Sequence, residues 1–200
     1  MNNVESKEVS LSYDILGEFD NKLATDFLCW CLDIEQLNDE ILAKTDDIES
    51  LPPLTININS DGGSVQSLFN MLSAISILPN VIIVRGFGMV ASSALFFYLF
   101  VGDVRLATPF TEFLYHNISY AIDQTNLETH RRFLKESDKL QTKLDKMIIE
   151  KSKITSKQLK AKKNEDWIID YQNAIELGIV NYTGSFRSLY EEENENEWGK

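Results

Sequence analysis

Histidine is almost missing from this 200-residue chain, which holds His116 and His130 and no other. Any histidine-based general-base chemistry must therefore use one of those two. Cysteine is as scarce: Cys29 and Cys31 stand two apart, a spacing that faces them away from each other on a helix. That excludes a structural disulfide, and C-x-C with two distant histidines is poor spacing for zinc. Two buried thiols in a reducing compartment are expected. Basic residues are few, 19 against 31 acidic, and the net charge of −12 argues against nucleic acid and anionic membrane as partners. Long apolar runs are absent too. The longest, Val90 to Val101, is twelve residues, whereas a spanning helix needs about 18 or more. MNNVESKEVSLSYD lacks the basic-then-apolar layout of a signal peptide, so a cytoplasmic protein is expected.

No Pro/Gly/Ser linker and no internal repeat divides the chain, and its length suits one domain. The expected organisation is a flexible N-terminus over 1–8, one domain over 9–186, and an acidic disordered tail over 187–200. VSLSYDIL (Val9 to Leu16) alternates like a strand. Apolar residues at Leu23, Phe27, Cys31, Ile34 and Leu37 predict a helix over Lys22–Leu37. Asn38 to Pro53 reads as an exposed loop or frayed helix end. LTINI (Leu54–Ile58) predicts a strand, Ser64 opens a helix that stops near Pro79, and VIIVRG (Val81–Gly86) predicts a second strand. A strand-to-helix turn over Gly88–Ser93 and a buried helix from Ala94 to Val101 follow. Short strands are expected at Val104–Ala107, at Glu112–His116, and after Asp166, with helices at about Asn126–Lys151, Ser156–Lys162 and Asp170–Leu177. Strand and helix alternate through the middle, which predicts an α/β fold with largely parallel pairing.

Two strand-to-helix junctions carry glycine, NSDGGS (Asn59–Ser64) and GFGMVASS (Gly86–Ser93). Backbone N–H groups at such junctions can hold a developing anion, although tight βα turns also use glycine for purely structural reasons. His130 lies beside Arg131 and Arg132 and should face solvent. His116 ends the apolar strand EFLYH, a place where catalytic groups gather in α/β folds; a structural histidine fits there as well. Asp166 in NEDWII is either the carboxylate that orients the imidazole or a surface residue. Spacing alone leaves Ser92 and Ser93 interchangeable as nucleophile.

Together INSDGGSV, GFGMVASSALFF, FLYHN and EDWIIDYQNAIELGIVN resemble the ClpP family of self-compartmentalising serine proteases. The resemblance covers roughly Val9 to Asn181, with four motifs in the family's order. The family's INSPGGSV becomes Ile58 to Val65, with Asp61 for proline; its G-x-A-A-S-M-G-A becomes Gly88 to Leu95, and its M-I-H-Q-P becomes Leu114 to Ile118. The resemblance implies Ser92 as nucleophile, His116 as base and Asp166 as the orienting carboxylate, with backbone N–H groups of Gly62 and Ser93 as oxyanion hole. It implies a ClpP/crotonase-like spiral of βαβ units with a protruding handle helix, the handle falling over about 117–152. No cofactor and no metal are implied. Peptides or unfolded proteins are the implied substrate, cleaved inside a homo-oligomeric heptameric ring, single or stacked as a tetradecamer. A Clp-type AAA+ unfoldase is the implied partner, although the N-terminal pore segment looks short. Asn38–Pro53 looks longer than in the family, NISYAIDQTN lacks the handle's usual glycines, and Met89 replaces a common glutamine. Competing readings are an inactive scaffold subunit, a phage capsid-maturation protease and a crotonase-type acyl-CoA enzyme; a membrane-anchored Ser–Lys peptidase lacks its anchor.

Overall fold

A computed structural model describes residues 9–119 and 126–184. The expectations for 1–8, for 187–200 and for handle residues 120–125 lie outside these described residues. Strand β1 (Ser12–Ile15) leads into α1 (Asn21–Thr45), a 3-10 turn (Ile48–Ser50) and β2 (Leu54–Ser60). Next come α2 (Val65–Ile75), β3 (Ile82–Ala91), α3 (Ser93–Val101), β4 (Val104–Ala107) and β5 (Glu112–Tyr115). The chain continues through α4 (Leu127–Lys151), α5 (Ser156–Ala161), β6 (Trp167–Ile169) and α6 (Tyr171–Glu176). One six-stranded sheet runs in the order β1-β2-β3-β5-β6, with β4 also on β3. All neighbours are parallel except β5 and β6. The expected α/β architecture is therefore present.

Three elements differ from their sequence-based expectations. Helix α1 runs on to Thr45, eight residues into the stretch expected as an exposed loop or frayed helix end. It continues because polar Asn38 is buried and paired: its amide and that of Asn80 exchange hydrogen bonds of 2.6 and 3.2 Å. Strand β3 does not end at Gly86 but continues to Ala91. The residues between Gly86 and Val90 bulge against Ile58–Ser60, and the Asn59 side chain closes that bulge by accepting the Met89 N–H at 3.2 Å. Cys31 is buried as expected, but Cys29 is exposed.

Helix α3 is buried on nearly every side, from Ser93 through Leu99 and again at Val101, which explains why its sequence shows no polar face. Phe97 meets Phe27 edge-on at 5.5 Å and Phe19 at 5.9 Å, joining α3 to α1 and to the loop after β1. Among the described residues no helix is long and apolar enough to cross a membrane. Helix α4 buries only Leu144, Met147 and Ile148, all in its C-terminal half; its other half projects.

Arg105 on β4 ties the C-terminal elements to the sheet. Its guanidinium donates to the carbonyls of Ile179 (2.8 Å), Gly178 (3.0 Å), Gly102 (3.1 Å) and Lys151 (3.1 Å) while the side chain is almost wholly buried. Removing it leaves those carbonyls without their donor. Arg105→Met should therefore lower the unfolding free energy by about 3 kcal/mol or more, measured by urea denaturation. Burial also pushes the Cys31 thiol up to about 12, so almost no thiolate exists at pH 8. Iodoacetamide at that pH should modify one cysteine in the native protein and two in urea, counted by intact mass.

Candidate active site

Strands β3, β5 and β6 end side by side, and the three residues singled out as a triad sit at those ends. Ala91 pairs with Leu114, and the Ser92 N–H donates to the Leu114 carbonyl at 2.9 Å. Tyr115 pairs with Trp167, so continuing the antiparallel register by one residue sets His116 opposite Asp166. Opposed residues of antiparallel strands project to the same face. The sheet thus gathers Ser92, His116 and Asp166 at one edge of the fold.

Local backbone separates the two serines. Ser92 has φ 53° and ψ −124°, a conformation that L-residues rarely adopt and that costs about 1–3 kcal/mol. Such a sharp strand-to-helix corner pushes its side chain outward at the N-terminus of α3. Ser92 is half-buried, and among the described residues no hydrogen bond uses its hydroxyl. Ser93 is 1% exposed, and its hydroxyl donates to the Gly63 carbonyl at 2.8 Å. Only Ser92 has a hydroxyl that a substrate could meet.

Gly62 closes over this corner. It holds φ +93°, and a Cβ there would lie 2.6 Å from the Ala91 carbonyl, 2.7 Å from the Ser92 Cβ and 2.9 Å from the Ser93 nitrogen. The turn is fixed from its far side: Phe19 N–H donates to the Gly62 carbonyl and Ser64 N–H to the Phe19 carbonyl, both at 2.7 Å. In a trans peptide the C=O and N–H point opposite ways. The Gly62 carbonyl faces Phe19, so the Gly63 N–H faces the other way, as does the Gly63 carbonyl that meets Ser93. The Gly62 N–H itself donates to Ser60 Oγ at 3.1 Å, and Ser60 Oγ in turn donates to the Gly17 carbonyl. Ser93 is the first residue of α3, so its own N–H has no carbonyl four residues back within the helix.

His116 is half-buried, and its Nδ1 lies 2.7 Å from the Asn117 carbonyl. A carbonyl can only accept, so Nδ1 carries a hydrogen, and in the neutral ring this leaves Nε2 with its lone pair. That is the tautomer a base needs toward a serine hydroxyl. Asp166 is exposed, and among the described residues no hydrogen bond joins His116 to Asp166 or to Ser92. The residues share one edge of the sheet without being linked. His130 is exposed on α4, as expected.

A polar network that no sequence pattern disclosed anchors the segment after β5. Tyr115 donates its hydroxyl to Asp145 on α4 at 2.8 Å, and burial first, then Asp145, raises its pKa well above the ordinary phenol range. Gln141 donates to Asp145 at 2.7 Å and accepts the Ile118 N–H at 2.8 Å, while Asn117 donates to the Lys163 carbonyl at 2.6 Å. These bonds hold the backbone on either side of His116.

The arrangement has relatives. The chain is 29% identical over 170 residues to an ATP-dependent Clp protease proteolytic subunit 2 of Pseudomonas aeruginosa, covering 84% of this chain and 77% of that protein. A protein of the same name from Treponema denticola is 26% identical over 152 residues, covering 73% of this chain and 74% of its own. A solved structure of a ClpP1 mutant from Listeria monocytogenes superposes with a TM-score of 0.72 at 23% identity, covering 88% of this chain and 92% of that one. It shares the fold. The Clp protease family model matches residues 34–185, most of the chain, and the protein accordingly belongs to the Clp protease family.

Proposed function

We propose that the protein is a serine-type endopeptidase whose nucleophile is Ser92, with His116 as base and Asp166 as the carboxylate that orients and stabilises the imidazolium. The observation that carries this reading is the strained corner at Ser92, with Gly62 packed against its Cβ. Ser92 gives its proton to His116 Nε2 as Oγ attacks the peptide carbonyl. The tetrahedral oxyanion is held by the Ser93 N–H and by an N–H of the glycine turn. Because Gly62 spends its N–H on Ser60, Gly63 supplies the second donor in this arrangement, in place of the Gly62 expected from sequence. His116 then protonates the leaving amine, and water attacks the acyl-enzyme by the reverse proton route.

Substrates are peptides or unfolded proteins, and the working form is a ring of copies of this chain, single or stacked. Leu127 and Leu134, 63% and 40% exposed on the projecting half of α4, offer apolar surface for such contacts. Delivery by an ATP-driven unfoldase is part of the same proposal, by analogy with relatives named as ATP-dependent.

The direct test is a fluorophosphonate probe on the assembled protein and on Ser92→Ala, with native mass measurement of the same samples. Labelling of the parent and none of the variant is expected. An unlabelled parent that still forms rings would replace the enzyme with a scaffold subunit. Asp166→Asn should reduce kcat by about 10^2- to 10^4-fold if the carboxylate takes Nδ1 in the working state. A loss below about tenfold would assign that orienting role to the Asn117 carbonyl. Strain at the corner makes a stability forecast as well: Ser92→Gly should unfold at higher urea than Ser92→Ala, by about 1 kcal/mol, because glycine accepts φ 53° without cost.

A further inference from the structure

The Ser93 side chain has no part in the proposed chemistry, yet it is buried to 1% exposure and makes one directed bond, 2.8 Å to the Gly63 carbonyl. The family motif quoted above has methionine at this place, which offers no such donor. The bond joins the two separate pieces of backbone that would hold an oxyanion: the N-terminus of α3 and the Asp61–Ser64 turn. The peptide between Gly63 and Ser64 is thereby fixed at both ends, its carbonyl by Ser93 and its N–H by the Phe19 carbonyl at 2.7 Å. The preceding peptide is held by Phe19 N–H on the Gly62 carbonyl, and among the described residues its Gly63 N–H end takes no hydrogen bond. Gly63 itself sits at φ +139°, a conformation with wide freedom for glycine. Without the Ser93 hydroxyl, no hydrogen bond of the described residues links the Gly63 peptide to α3.

We propose that the Ser93 hydroxyl is a positioning residue that locks the Gly63 peptide to the N-terminus of α3 and so presets the distance between the two oxyanion donors. The proposal rests on the peptidase reading above. Preorganised donors act in the transition state, where charge appears on the carbonyl oxygen, and contribute little to ground-state binding. Loosening the lock should therefore lower kcat and leave KM in place.

Ser93→Ala removes the hydroxyl with the least change in volume, and Ser93→Thr restores it. Each variant is assembled, checked for ring mass and melting temperature, and assayed on a fluorogenic peptide, with a peptide boronate as tetrahedral analogue and a fluorophosphonate as Ser92 label. In Ser93→Ala, kcat should fall roughly tenfold or more, staying below the ~10^2–10^3 loss for deleting a donor outright. Boronate affinity should fall by a similar factor while KM holds and the melting temperature drops by only the few degrees that one lost hydrogen bond brings, and Ser93→Thr should recover most of both losses. A kcat within about twofold of the parent in Ser93→Ala, with the parent labelled at Ser92, overturns the lock and leaves the peptidase reading intact. A fall in kcat that Ser93→Thr does not recover, or an increase in KM alone, also overturns it. Failure of the parent to label at all overturns both.

Discussion

Strand β3 is the constraint on which the site depends. It is ten residues long and pairs with β2 along one edge and with two strands in tandem along the other, β4 over Ile83–Gly86 and β5 over Met89–Ala91. Its bulge between Gly86 and Val90 sets the spacing between those two partners. Thr111 fills the joint, donating its hydroxyl to the Gly86 carbonyl at 2.9 Å in a fully buried position. Because β5 is held to the far half of β3, the segment after Tyr115 is delivered beside the Ser92 corner; because β6 is antiparallel to β5, the residue before Trp167 arrives opposite it. A peptide hydrogen bond is worth only about 1 kcal/mol net, but register is discrete. Slipping β5 by one residue would turn His116 to the other face of the sheet.

Much of this was legible in the sequence, for identifiable reasons. The helix N-caps at Ser64, Asn126 and Asp170 are short polar side chains that accept from a backbone N–H in the next turn, and each stands where the pattern put a helix start. The all-apolar run in α3 could be placed as a buried helix by its length alone. What stayed hidden depends on partners distant in sequence. Asn38 reads as a helix end until Asn80, 42 residues on, satisfies its amide. Gly86-Phe87-Gly88 reads as a turn until Asn59 closes the bulge and lets the strand resume. That the Gly62 N–H is spent on Ser60 while the Gly62 carbonyl meets Phe19 could not be read at all, since both partners come from elsewhere in the fold.

The two halves of the candidate site are held with unequal stiffness. On the serine side every piece is over-determined. Ser92 stands between a strand bonded on both edges and a helix buried almost all round, and Gly62 fills the space over its Cβ so closely that no side chain fits. Strain at Ser92, worth about 1–3 kcal/mol, persists in a surround where α3 is packed through Phe97 against Phe19 and Phe27.

On the histidine side the backbone is fixed by several bonds and the ring, among the described residues, by one. Tyr115, Asp145 and Gln141 anchor β5 and the segment beyond it, but among the described residues the imidazole holds one bond, to its own neighbour's carbonyl, and Asp166 is exposed. For Asp166 to act as the proposed orienting carboxylate, the His116 ring would have to exchange the Asn117 carbonyl for it, with the hydrogen kept on Nδ1. Under the proposed mechanism that exchange would also replace a dipole facing the ring by a full negative charge, which favours an imidazolium. Under the proposed peptidase reading the serine half would set where a carbonyl sits and the histidine half whether a proton leaves; the first is held by the buried core, the second by one ring hydrogen bond among the described residues.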